Sequence, residues 1–154
     1  MNTAFRMVLV GIFICAAVCA NEQAWKELSS QVIQLYKQGR YQEAVPVAQR
    51  ARQLARSAYG ENDERVAASL NNLAELEKAQ GNYSAAAELY QQVLAIDAKV
   101  ARADAPVVAT HLGNLGGAYQ NMGRHADAEQ AYARGLAIAE KAYGPDALET
   151  ARFL

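Results

Sequence analysis

The sequence predicts an all-α fold, specifically an α-solenoid of antiparallel helix pairs. One observation is repetition: residues 66–96 recur as residues 108–138, so that Leu70 matches Leu112 at an offset of 42 residues. The other is periodicity, because apolar residues within each copy are spaced by three and four, as on one face of an amphipathic helix. A fixed period of a few tens of residues is typical of a solenoid, whose units bury their apolar faces against each other. We therefore expect three repeats and a partial fourth.

The first 20 residues are predicted to be an export signal. They contain one charge, Arg6, then an apolar run over residues 7–18, and a small-residue cleavage site at Val18 to Ala20. The alternative is an uncleaved anchor, but the run is shorter than the roughly 20 residues of a spanning helix. We expect cleavage after Ala20 and an exported protein, periplasmic or extracellular in a bacterium, with no membrane attachment. Both cysteines lie in the leader, which leaves the mature chain without a disulfide.

The first repeat is predicted over residues 22–60. Its first helix runs from Glu22 to Gln38, where Gly39 ends it, and its second runs from Tyr41 to Tyr59. Pro46 falls near the first turn of the second helix, where a proline disturbs few intrahelical hydrogen bonds, so we expect the helix to continue through it. Two helices joined by so short a turn pack antiparallel.

The second and third repeats are predicted over residues 62–102 and 104–144, followed by a partial unit at 145–154. Asn62 or Asp63 can cap the next helix, and Pro106 suits the first position of another. In the second repeat Glu77 occupies a packing position, so we expect the adjacent Leu76 to take the core contact. Small residues at Ala74, Gly116, Ala86 and Ala128 are expected where two helix backbones approach.

The spacing of Leu70, Ala74, Gly81, Tyr83 and Tyr90 resembles a tetratricopeptide repeat. The 42-residue period and the segments LNNLA, QGNY, YGEND and YGPD are similar to the kinesin-light-chain-like branch of that family. The resemblance implies a right-handed superhelix that binds a protein or peptide, with the first helix of each pair lining a concave groove.

The resemblance also implies which residues line the groove. Asn72 and Asn114 occupy the same position in successive repeats. Because asparagine mildly disfavours helix formation, this recurrence suggests a functional role. An amide side chain offers a donor and an acceptor and so matches the backbone of an extended peptide. The alternative is that the asparagines bond only to neighbouring repeats or to water. The expected groove residues are Ser30, Ile33, Asn71, Asn72, Glu75, Thr110, His111 and Asn114, with Lys26, Ser29, Gly113 and Gly117 in the same register.

No catalytic motif is found in the sequence. It has no glycine-rich phosphate loop, nucleophile elbow or zinc signature, so we expect no enzymatic activity, no cofactor and no metal site. His111 and His125 are expected to be structural, the latter as a half-buried ring, because no cluster of ligands accompanies them. With 15 basic and 16 acidic residues the chain is not suited to nucleic acid.

Three functional hypotheses follow. The first is an exported, non-catalytic module that binds a peptide or protein in its groove. The second is an interaction arm or fragment of a larger secreted enzyme or signalling protein. The third is an architectural protein that self-associates through its C-terminal repeat. That repeat should be the least stable, because each helical glycine costs up to about 1 kcal/mol relative to alanine; its predicted helices contain Gly113, Gly116, Gly117 and Gly135.

Overall fold

The computed structural model describes the backbone of residues 3–100 and 105–153, and side chains from Val18 onward within those ranges. This part of the chain forms seven helices and no strand. Each helix packs on the next one in the sequence, which stacks three pairs and the start of a fourth and confirms the predicted α-solenoid. The helices are α1 Thr3–Lys37, α2 Tyr41–Tyr59, α3 Glu64–Ala79, α4 Tyr83–Lys99, α5 Pro106–Asn121, α6 His125–Tyr143 and α7 Leu148–Ala151.

Helix α1 is longer than the sequence indicated. It was expected to begin at Glu22, but it begins at Thr3 and continues through Ala20. The leader contains no proline, so nothing in its backbone chemistry forces an end to the helix there. Cleavage after Ala20 stays a prediction. Among the residues that the structure describes, no helix is long and apolar enough to cross a membrane.

The helix boundaries follow from local chemistry. α2 has the predicted bounds, and Pro46 lies inside it without interrupting it. The turn residue Gly81 has φ 82°, a conformation that a residue with a Cβ rarely adopts. Asp63 rather than Asn62 caps α3, because its carboxylate accepts a hydrogen bond from the backbone N–H of Arg65 at 2.8 Å. Pro106 is at the start of α5, as predicted.

The core between the second and third repeats packs large side chains against alanines. Tyr90 is completely buried and is surrounded by small residues, including Ala74 and Ala86, and by side chains of α5. The small side chains let the helices approach closely enough for interior packing density. Leu76 is fully buried, as predicted, while the half-buried Glu77 accepts a hydrogen bond from an Asn82 side chain at 2.8 Å.

The outer face of α1 is polar. Leu73 and Ser69 are buried on α3. The residues at the corresponding positions of α1, Gln31 and Glu27, are exposed. Polar residues at packing positions are typical of the end unit of a solenoid. The α1 face thus carries exposed polar side chains at positions that are buried in the second repeat.

Glycines of the third repeat make room for two aromatic rings. A Cβ on Gly116 would lie 2.6 Å from the ring of Tyr132, and one on Gly135 would lie 2.4 Å from the ring of Phe153. The ring of Tyr132 fills the space that Gly116 leaves between α5 and α6. Phe153 thereby anchors the fourth unit on the third, an interaction that helical propensity alone does not reveal.

Candidate functional site

The first helices of the three pairs share one surface. A cavity of about 240 Å³ is lined by Trp25 of α1, Ala68 of α3, and Val107 and His111 of α5. Ala68 lies one turn before Asn72, so the cavity borders the region where the groove was predicted. We call this surface the first-helix face and define it by the predicted residues Ser30, Ile33, Asn72, Glu75, Thr110 and Asn114.

Asn72 and Asn114 are both half-buried on this face. Within the described part of the chain, neither side-chain amide has a hydrogen-bond partner. Asn114 lines a second cavity of about 200 Å³ together with Thr110 and Gly113 of α5 and with Arg152 and Phe153 of the fourth unit. Both asparagine side chains thus keep their donors and acceptors for a ligand or for water.

The other predicted groove residues differ in how available they are. Ser30 and Thr110 are exposed, and Ile33 is 46% exposed, which is high for a large apolar side chain. Glu75 already has partners within its own repeat. It accepts a hydrogen bond from the hydroxyl of Tyr90, and it forms an ion pair with Lys78 at 2.8 Å. Burial, and secondarily the bond to Glu75, raises the pKa of Tyr90 well above its ordinary value. Glu75 is therefore held by the repeat itself.

Asn71 points into the packing between repeats. Its Oδ1 is buried without a hydrogen-bond partner among the described residues, and so is the Oγ of Ser29, 42 positions earlier. The same register in the third repeat is Gly113, where a Cβ would lie 3.1 Å from Phe153 of the next unit. This register therefore faces the following repeat, and the structure separates Asn71 from its neighbour Asn72.

His111 is largely buried between the second and third repeats, where it also lines the first cavity, and its predicted role in the groove stays a prediction. It is 8% exposed, and its Nδ1 lies 2.7 Å from Oδ2 of Asp97. A carboxylate only accepts hydrogen bonds, so Nδ1 donates. His111 and Asn114 lie three residues apart on α5 but line different cavities. His125 is exposed, which contradicts the expected half-buried ring.

Sequence reasoning missed Asp97 entirely. It is 3% exposed and lies near the end of α4. Its counterparts one repeat earlier and later are Ala55 and Ala139, both buried. The sequence could have indicated this residue, because Asp97 is the one acidic residue at a position where the other two repeats have alanine. A charge at such a buried position needs a partner inside the fold.

The two cavities are one structural feature repeated after 42 residues. Six residues that line the first cavity have counterparts that line the second. These two junctions therefore form cavities of related shape, whose chemistry differs because the residues at corresponding positions differ. The corresponding residues are Glu64 and Pro106, Ala67 and Ala109, Ala68 and Thr110, Asp97 and Ala139, Val107 and Glu149, and His111 and Phe153.

In the described residues, no group of three or more histidine, cysteine, aspartate or glutamate side chains is placed to hold a metal ion.

Family models of the tetratricopeptide repeat match residues 29–99 and 108–146. Among solved structures, the chain is similar to BtubC (BKLC) from P. vanneervenii, with a TM-score of 0.73 and 19% identity over 91% of this chain and 62% of that one. It is also similar to the TPR domain of Arabidopsis FLU, with a TM-score of 0.71 and 19% identity over 79% of this chain and 98% of that one.

A kinesin light chain protein from Podosopora anserina with nearly identical TPR-like repeats has a TM-score of 0.74 and 24% identity, over 83% of this chain and 61% of that one. This chain therefore spans less than two thirds of the BtubC and Podosopora structures. A search of curated protein sequences finds no match.

Proposed function

Because the chain belongs to the tetratricopeptide repeat family, whose domains serve in protein–protein interaction, we propose that it is a non-catalytic module that holds a peptide or partner protein on its first-helix face. The observation that carries this proposal is the recurrence of Asn72 and Asn114, half-buried at one register on neighbouring repeats and without internal partners. Two such amides can each donate to and accept from the main chain of an extended peptide.

Neighbouring features support a ligand that lies along the face. The two cavities flank the asparagines and are formed by successive repeats, so they can take side chains of one bound segment. Exposed Ile33 adds apolar contact at the first repeat. Main-chain bonds to the asparagines would supply affinity, and the cavities would supply selectivity.

The Asn72→Ala, Asn114→Ala double variant is expected to weaken binding to peptides selected on an array by at least about tenfold, since each lost hydrogen bond contributes about 0.5–1.5 kcal/mol. Asn62→Ala is the matched control, because Asn62 is an exposed turn residue outside the face. Isothermal titration with the selected peptides measures the effect. Undiminished binding by the double variant would show that the asparagines do not hold the ligand.

Self-association through the C-terminal repeat is the second candidate function. Leu148 is 79% exposed and Tyr143 is 48% exposed, which leaves apolar side chains on the surface of the fourth unit and the end of α6. Light scattering on the same preparations distinguishes the two: a mass above one chain supports self-association, and a monomer that binds peptide excludes it as the main role. An arm of a larger protein is compatible with either outcome.

Export is the cellular context that we propose for this module, because the leader has the charge, apolar run and cleavage site of a signal peptide. When the full chain is expressed in a bacterium, N-terminal sequencing of the protein recovered from the periplasm should begin at Asn21. A chain that keeps its first 20 residues and stays with the cells would contradict export.

A further inference from the structure

We propose that a groove beside α6 binds an amphipathic helix of another protein, in which a leucine is followed three residues later by leucine or alanine. The groove has a volume of about 390 Å³ and lies between α6, the end of α5 and Phe153. This inference goes beyond the proposed function, because the groove shares no residue with the first-helix face. We call it the α6 groove and define it by Gln120, Ala128, Glu129, Tyr132, Leu136 and Phe153.

The position of Tyr132 shows what the α6 groove lacks. Its counterparts at intervals of 42 residues are Tyr90 in the second repeat and Ala48 in the first, and both are completely buried. Each packs in a cluster with the first helix of the next repeat, Tyr90 with α5 and Ala48 with α3. Tyr132 is only half-buried, because α7 ends at Ala151 and no other helix follows it within the described residues.

The side chains that fill the equivalent grooves of the first two repeats have the same chemistry. α3 contributes Leu73 and Leu76 to the first of these clusters, and α5 contributes Leu115 and Ala118 to the second. None of the four is more than 6% exposed, and the two pairs occupy the same positions of the repeat. Residues three apart on a helix share a face, so the occupant is a helix with an apolar stripe. Such a helix laid into a groove is a recurring mode of protein recognition.

The first helices of a second copy of this chain do not offer that stripe. At the positions of Leu73 and Leu76, α1 has Gln31 and Gln34, whose amides would lose hydrogen bonds to water in an apolar groove. The stripes of α3 and α5 are already buried inside their own chain. α7 is four residues long and is held on its own third repeat, where Thr150 is buried. The occupant that fits is therefore a helix of a different protein.

Glu129 adds a charge to this requirement. It lines the α6 groove and is exposed, and it forms no hydrogen bond or ion pair with the other described residues. Its counterpart in the second repeat is Ala87, which is 4% exposed in the cluster that contains residues of α5. A docked helix would cover Glu129 in the same way, and covering an unpaired carboxylate is unfavourable. The partner helix therefore also carries a lysine or arginine beside Glu129.

A peptide copied from the protein itself is the probe. It has the sequence of residues 71–82, which includes Leu73 and Leu76, and a staple on the opposite side keeps it helical, since so short a helix is marginal in water. The control peptide has Leu73→Gln and Leu76→Gln, which reproduces Gln31 and Gln34 of α1. The full chain is titrated into each labelled peptide, and fluorescence anisotropy measures binding. We expect saturable binding of the leucine peptide, at least about tenfold tighter than that of the control, because two leucine side chains leave water.

Filling the α6 groove from within the chain tests its location. Leu154 corresponds to Leu70, so a copy of residues 71–82 appended after Leu154 continues the repeat and brings the copies of Leu73 and Leu76 into register with the groove. This extension should abolish binding of the leucine peptide at concentrations that saturate the unextended chain. The same extension with both leucines replaced by glutamine is the matched control and should leave binding unchanged.

Glu129→Ala tests the charge. The variant reproduces Ala87, so it should tighten binding of the leucine peptide by at least about threefold. Glu140→Ala changes an exposed glutamate of the same helix outside the groove and should have no effect. An arginine scan of the leucine peptide against the unmodified chain should find a position that increases affinity, and Glu129→Ala should remove that gain. No gain at any position would overturn the requirement for a basic residue.

The assignment of the α6 groove has clear contrary outcomes. Equal affinities of the leucine and glutamine peptides would overturn it, and so would binding that the leucine extension does not block. Light scattering on the unmodified chain identifies the remaining alternative. A mass of two chains that falls to one chain when the leucine peptide is added would show that a second copy occupies the groove, and would overturn the assignment to a different protein.

Discussion

Asp97→Ala is expected to destabilise the protein by about 3 kcal/mol, because it leaves His111 buried without the carboxylate that accepts its Nδ1–H. The bond joins the end of α4 to α5, and both side chains are shielded from solvent. Weakening this junction should separate the unfolding of the first two repeats from that of the third. Urea unfolding followed by Trp25 fluorescence, which reports on α1, and by helical circular dichroism should then give transitions that no longer coincide.

The first junction supplies the control for this prediction. Ala55 and Ser69 are the counterparts of Asp97 and His111, and the hydroxyl of Ser69 donates to the backbone carbonyl of Arg65 in its own helix. The double variant Asp97→Ala, His111→Ser reproduces that pair and should be more stable than Asp97→Ala alone. If the losses of the two single variants simply add in the double variant, the buried pair is not a coupled unit.

Tyr90→Ala is expected to lower the free energy of unfolding by about 3–5 kcal/mol, the range observed for removal of a buried aromatic side chain. Tyr90 is completely buried between the second and third repeats, where it contacts residues of both. Its hydroxyl also donates to Glu75, so the variant removes a hydrogen bond together with the ring. Thermal unfolding should show a decrease in Tm of roughly 2–4 °C for each kcal/mol lost.

Tyr132→Ala is the matched control for Tyr90→Ala. Tyr132 is the counterpart of Tyr90 on α6, but it is half-buried, because the described residues after α6 form only the short helix α7 and its turn. Its removal should cost clearly less than removal of Tyr90. Equal losses from the two variants would mean that the fourth unit packs on the third repeat as tightly as the third repeat packs on the second.

The fold was predictable because its determinants are local and repeated. Apolar spacing, Gly81 in the turn, the cap at Asp63 and Pro106 at a helix start all act within a few residues, and the structure agrees with each of them. The family models and the kinesin-light-chain-like structural neighbours confirm the resemblance that these residues carried. The upstream extension of α1 is the main difference in the helix boundaries.

The candidate site was predictable only in part. The sequence identified the register of Asn72 and Asn114, and the structure leaves both half-buried on the expected helices. It did not separate Asn71 from Asn72, because two adjacent residues on a helix point about 100° apart and only the neighbouring repeat decides which is covered. It also did not reveal that His111 is bonded to a carboxylate, since the partner Asp97 lies on another helix.

The sequence by itself determined the repeat, the helix pairs and the positions that pack, because helical period and turn chemistry depend on near neighbours in the chain. The tertiary structure alone decided which polar residues face a junction and which face the surface. It also showed that glycines of the third repeat make room for aromatic rings, and that two corresponding cavities have different chemistry. These features depend on side chains from different repeats, whose contacts exist only after the helices have stacked.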